Sequence, residues 1–137
     1  MADYNCKMRS NYFEVKDPVT FEKMIGKVSG NFDQVHCWKA EKDGKLLYSF
    51  GVEGSIYGFE DEENSSFDDV ILELQRHVAK DDAIIVVEAG YEKLRYTVGT
   101  AYVITCNDYE VLNVENLARK EAARMLSVPE YRSKIEC

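Results

Sequence analysis

The sequence predicts an α+β fold: a ferredoxin-like βαββαβ core with an added β-hairpin extension and a C-terminal helix. Three observations carry this. The longest unbroken apolar run, Ala83 to Val87, precedes an alternating stretch from Leu94 to Thr105, the pattern of a sheet centre. Two segments, one after Asp17 and one after Ser66, repeat apolar residues at helical spacing. Their order is strand, helix, two strands, helix, strand, the split βαβ arrangement in which an antiparallel sheet carries both helices on one face. The chain of 137 residues reads as a single domain over residues 1–137, long enough to bury a core without disulfides or metal.

Taken in order, Lys7 to Val15 alternate loosely and suit a first strand. Asp17-Pro18 then supplies an N-cap acceptor and a proline at the first helical position. Phe21, Met24, Ile25 and Val28 form one helical face, which Gly30-Asn31 ends. Gln34 to Glu41 is a second strand, with Val35, Cys37 and Trp38 as candidate inward residues. Asp43-Gly44 is the signature of a type I′ hairpin turn. Leu46 to Phe59 returns as a third strand, weakened or bulged at Gly51, Gly54 and Gly58. Ser66, with Asp69 three positions on, caps a helix marked by Phe67, Val70, Ile71, Leu74 and Val78. The run from Ala83 is continuous enough to suggest burial on both faces, and Gly90-Tyr91 reads as a hairpin signal. In the strand from Leu94 one face alternates large residues, whereas the other holds Arg95, Thr97, Gly99, Ala101, Val103 and Thr105, mostly small or polar. Asn107-Asp108 turns into a short strand, Tyr109 to Leu112. Asn113 caps a last helix with Val114, Leu117, Ala118, Met125 and Leu126 on its apolar side, stopped before Pro129.

An apolar content of 45% with 12% aromatic residues excludes disorder. No window approaches the roughly 18 consecutive apolar residues that span a bilayer, and the N-terminal stretch lacks the pattern of a signal peptide. A cytoplasmic protein without membrane association is expected. Cys6, Cys37, Cys106 and Cys137 are too far apart for the CxxC spacing of zinc or redox sites. They read as free thiols, Cys37 and Cys106 half-buried in strands and Cys137 on a mobile terminus. No cofactor is implied.

The net charge of −8 is concentrated. Between Lys45 and Arg76 there is no basic residue, and the gap holds eight acids: Glu53, Glu60, Asp61, Glu62, Glu63, Asp68, Asp69 and Glu73. The other 17 acids are balanced by the chain's 17 basic residues, so a near-neutral domain bears one acidic segment. Such a segment imitates the charge density of duplex DNA, about one charge per 1.7 Å of axis. It is equally the pattern of a solvated loop whose acids favour a helix N-terminus. The stretch lacks the glycine and closing glutamate of an EF-hand loop, so no metal is expected.

Aromatic residues on the third strand, Tyr48, Phe50, Tyr57 and Phe59, could stack nucleotide bases on an open sheet. The acidity there and the lack of an RNP-like pattern argue against direct nucleic-acid binding. His36 and Cys37 are strand neighbours and point to opposite faces, so they cannot form a pair. His77 falls at the edge of an apolar stripe, and the glycines at 51, 54 and 58 lack the following lysine of a phosphate loop. Composition and spacing therefore give no catalytic constellation.

The opening CKMRSNYFEVKD with Phe21, the block DDAIIVVEAGYEKLRYTVG and the late VENLARKEAARML resemble small acidic proteins of conjugative elements, plasmids and phages of Gram-positive bacteria. That resemblance implies a role in the contest between mobile elements and host defence. Anti-CRISPR and anti-restriction proteins of this kind are often small acidic single domains without enzymatic activity, and several imitate DNA. The expectation is a binding protein whose acidic segment docks on the basic nucleic-acid-binding surface of a defence nuclease such as Cas9. Glu53, Glu60, Asp61, Glu62, Glu63, Asp68, Asp69 and Glu73 would supply the field, with Tyr57 and Phe59 as apolar anchors. The alternative is a structural or regulatory module of the mobile element, acting as a homodimer through a sheet edge.

Overall fold

The computed structural model describes residues 4–93 and 96–133. Its first strand, β1 (Asn5–Ser10), buries Cys6, Met8 and Ser10 and exposes Asn5, Lys7 and Arg9. That alternation defines two faces for the whole sheet, because side chains change sides at every residue. The chain continues as α1 (Pro18–Ile25), β2 (Val28–Gly30), β3 (His36–Lys42), β4 (Lys45–Glu53), β5 (Ile56–Phe59) and α2 (Phe67–His77). It closes with β6 (Ile84–Glu92), β7 (Tyr96–Ile104), β8 (Tyr109–Asn113) and α3 (Val114–Leu126). Six strands form an antiparallel sheet in the order β3-β4-β1-β6-β7-β8, and β2 pairs with β5 apart from it. The fold is α+β, with three helices among the described residues, one of them C-terminal.

α1 and α2 cover the face that holds Met8, Phe50, Val86 and Ile104. α1 begins where Asp17 accepts a hydrogen bond from the Val19 amide (3.1 Å), just ahead of Pro18. Phe21 on α1 meets Phe13 edge-on at 5.7 Å, and Phe13 meets Phe50 in the same way at 6.0 Å. α2 turns Val70, Ile71 and Leu74 into the same cluster. Full burial of such side chains is worth about 1.5–3 kcal/mol each, so this face supplies most of the driving force for folding.

Several expectations need correction. The first strand stops at Ser10; Phe13 and Val15 make single bridges to Tyr48 and Val78 instead. The first helix ends at Ile25, and Val28 opens β2 opposite Phe59, a pairing that suits a β-branched residue. The third strand breaks after Glu53, and β5 leaves the main sheet to pair with β2. There Asn31 Oδ1 accepts the Ser55 amide at 2.9 Å and holds the bend. The apolar run is buried on one face only: Ile84 and Val86 are inaccessible, whereas Ile85 and Val87 are 40% and 47% exposed. Gly90 and Tyr91 stay within β6, and the turn begins at Lys93 (φ 49°), next to residues 94 and 95, which lie outside the described residues. Cys37 and Trp38 are exposed because β3 is the sheet edge. Cys6 is buried, Cys106 half-buried, and Cys137 lies outside the described residues. The Asp43-Gly44 hairpin forms as expected.

The start of α3 meets β7 on the face opposite α1 and α2. Lys7, Ala89 and Gly99 form one cross-strand row, and Lys7 points away from the core. A Cβ placed on Gly99 would sit 2.9 Å from Val114 Cγ2, so the helix start rests directly on that glycine. Asn113 caps α3 as predicted, accepting the Asn116 amide at 3.1 Å. Its apolar positions do not reach a core, however: Val114, Leu117, Met125 and Leu126 are exposed, and only Ala123 is buried. No helix among the described residues is long and apolar enough to cross a membrane.

Candidate partner-binding surface

The acidic segment is an ordered turn leading into a helix. Ser65 does most of the holding: its hydroxyl accepts the Phe59 amide (2.8 Å) and donates to the Glu62 carbonyl (2.8 Å). Ser65 and Glu62 also pair through the backbone at 3.1 Å, and the Glu60 amide reaches the Lys27 carbonyl at 2.9 Å. Gly58 makes this closure possible, because a Cβ there would lie 2.6 Å from Ser65 Oγ. Asp69 Oδ2 then accepts the Ser66 amide (2.8 Å), one arm of the capping box expected from the sequence.

Glu60, Asp61, Glu62 and Glu63 on the turn and Asp68 in the first turn of α2 are all exposed. Among the described residues only Asp61 of these has a cationic partner, Lys27 Nζ at 4.0 Å. Glu73 is paired with Arg76 at 2.8 Å, and Asp69 is engaged at the helix cap. Asp61, Glu62, Asp69 and Glu73 line one side of a groove of about 620 Å³ between α1 and α2, faced by Lys23 and Lys27. Leu72 also lines it and is exposed.

The structure therefore assembles part of the expected set and separates the rest. Tyr57 is 60% exposed on β5, close in sequence to the turn. Phe59 is only 8% exposed and packs in the core, while its remaining edge lines the same groove. Glu53 stands on the opposite face of the sheet, paired with Lys7 at 3.4 Å. Sequence reasoning missed Lys23 and Lys27, because nothing in the chain order places the polar side of α1 beside the acidic turn. Their spacing of four residues was the available signal.

Titratable groups elsewhere are engaged structurally. His36 Nε2 lies 3.0 Å from Asp33 Oδ2, and that contact holds the Asp33 carboxyl below its ordinary range. Desolvation, and then the Glu22 carboxylate, pushes the Cys37 thiol up, away from the thiolate form that a nucleophile needs. Buried Tyr48 donates a short hydrogen bond to Glu22, which Lys39 also contacts at 3.1 Å. Among the described residues no three His, Cys, Asp or Glu side chains cluster as metal ligands. In comparisons with known proteins, no family model matches the chain, and no curated protein or solved structure does.

Proposed function

We propose that this chain is a non-enzymatic inhibitory binding protein of the anti-CRISPR or anti-restriction type, acting in the cytoplasm. Its acidic turn docks on the basic nucleic-acid-binding surface of a defence nuclease. The observation that carries this reading is the set Glu60, Glu62, Glu63 and Asp68. All four are exposed, with no described lysine or arginine within 4 Å. Carboxylates held this way attract a basic groove over a Debye length and speed association. The Ser65 hydrogen bonds order the turn before contact, which lowers the entropy lost on docking. Tyr57 and Leu72 flank the charges in sequence and supply exposed apolar area. The finer fold assignment belongs to the same proposal. Setting aside β2, β5, β7 and β8 leaves β3-β4-β1-β6 with α1 and α2 on one face, an order that supports a ferredoxin-like core with an added hairpin.

The test is a binding and cleavage assay against Cas9, with and without its guide RNA, comparing the wild type with E60K/E62K/E63K/D68K. Asp69 stays untouched, because its carboxylate caps α2. The expected result is inhibition relieved by salt and by excess DNA, with association slowed about tenfold or more in the variant. Unchanged inhibition by a variant that melts like the wild type would sink the docking reading. Absence of any binding to Cas9 would redirect the same comparison to restriction nucleases.

A further inference from the structure

α3 touches the sheet at its start and leaves a wedge-shaped space behind that contact. Val114 rests on Gly99, where an added Cβ would lie 2.9 Å from Val114 Cγ2. Ala118 and Ala122 follow four and eight residues on, so they share the sheet-facing side of the helix. Ala118 is nevertheless exposed and Ala122 only half-buried. A cavity of about 590 Å³ lies between these alanines and Val98 and Gly99 of β7. Its volume falls in the range of small-molecule sites, about 300–1,000 Å³.

Arg119 lines the same cavity. Its Nη2 donates to the Tyr131 carbonyl at 2.9 Å, in the segment that follows α3. Its Nε is shut off from water and has no acceptor, the one buried side-chain polar atom in that condition among the described residues. A buried donor left without a partner is costly and calls for an explanation. One edge of a guanidinium presents Nε and Nη2 as parallel donors, and a carboxylate accepts from both. The Tyr131 carbonyl takes one donor of that pair and leaves the other unsatisfied.

We propose that this cavity binds an aliphatic monocarboxylate. Its carboxylate replaces the Tyr131 carbonyl and accepts from Nε and Nη2 of Arg119, and its hydrocarbon chain runs along Val114, Ala118 and Ala122. These three residues span about 12 Å at 1.5 Å per residue, the length of a medium chain. The lining selects the class. Tyr131 supplies the one ring among the described lining residues, so an aliphatic chain suits the walls better than a ring system. Arg119 is the one cation among them and Glu115 stands beside it in the lining, which favours a singly charged head over a phosphate. The exchange spares the bond from the Val128 amide to the Ala123 carbonyl (3.0 Å), so the end of α3 keeps its closure.

The experiment titrates the full chain with decanoate by calorimetry, below the concentration at which decanoate forms micelles, with decanol as the uncharged control. Arg119→Gln and Ala118→Phe are measured beside the wild type; both positions lie outside the core, and melting curves check that the variants fold. The expected result is saturable decanoate binding that Arg119→Gln weakens about tenfold or more, through loss of a charged hydrogen-bonded pair. Ala118→Phe should weaken it at least as much, because the ring takes the space of the chain. Decanol should bind the wild type and Arg119→Gln alike, and decanoate should slow amide exchange within residues 114–126. Absence of saturable decanoate binding to the wild type would overturn the proposal. So would binding that neither substitution weakens, or exchange protection confined to other elements. An equal loss of decanol in Arg119→Gln would make Arg119 a support for the Tyr131 segment and remove the carboxylate assignment.

Discussion

α2 presses Val70, Ile71 and Leu74 into the core, whereas α3 leaves Leu117 and Met125 in solvent, although both start at a capping residue and both repeat apolar residues at helical spacing. The difference lies in what each helix meets. α2 faces the side of the sheet that presents Met8, Phe50, Val86 and Ile104, large side chains with area to bury. α3 starts on Gly99, where there is no side chain to cover and the backbone comes close. Periodicity thus identifies a helix and its apolar side, and the opposing surface decides whether that side is buried.

The largest expected effect tests this directly. Leu74→Ala should cost about 2–5 kcal/mol, the range for a leucine lost from a packed core. Leu117→Ala, measured at low protein concentration, should cost under about 0.5 kcal/mol, as for a surface position. Chemical denaturation of the two variants reads both values. Equal losses would mean that α3 is as deeply integrated as α2 and would break the comparison.

The caps sharpen it. Removing the Asp69 carboxylate (Asp69→Ala) and removing the Asn113 side chain (Asn113→Ala) each delete one hydrogen bond at a helix start, worth about 1 kcal/mol. α2 cannot fray without opening the core, so its loss should appear in global unfolding. For α3 it should appear mainly as faster amide exchange within residues 114–126, with little change in the denaturation midpoint. A full global loss from Asn113→Ala would tie α3 to the cooperative unit.

How much of this was legible follows the same division. The caps at Asp17, Ser66 and Asn113, the Asp43-Gly44 turn and the apolar side of α2 were readable, because local hydrogen bonding and periodicity act within a few residues. The break between β4 and β5 was not, because it depends on Asn31 reaching Ser55 from 24 residues away. The half-exposure of the Ala83 to Val87 run was hidden for a related reason: apolar continuity does not say which face a helix will cover. At the acidic segment, sequence located the charges. It could not separate Phe59, which serves the core, from Tyr57, which does not, and it could not send Glu53 to the far face.

The smallest effect concerns α1, which is tied to the sheet by a polar clasp besides its core face. The hydrogen bond from Tyr48, and then the contact with Lys39, hold the Glu22 carboxyl below its ordinary value of 4.5. A carboxylate with a depressed pKa in the folded state contributes stability that is complete above 4.5 and is lost as pH falls through the lower folded value. Glu22 is 44% exposed on its side chain, so water screens the contact with Lys39 and the contribution is modest. Glu22→Gln should therefore be less stable than the wild type at neutral pH, with the gap narrowing as the solution is acidified below 4.5. A gap that stays constant across that window would assign the role of Glu22 to packing rather than to its charge. α1 would then depend on Phe21, Met24 and Ile25 alone, in the way that α2 depends on Val70, Ile71 and Leu74.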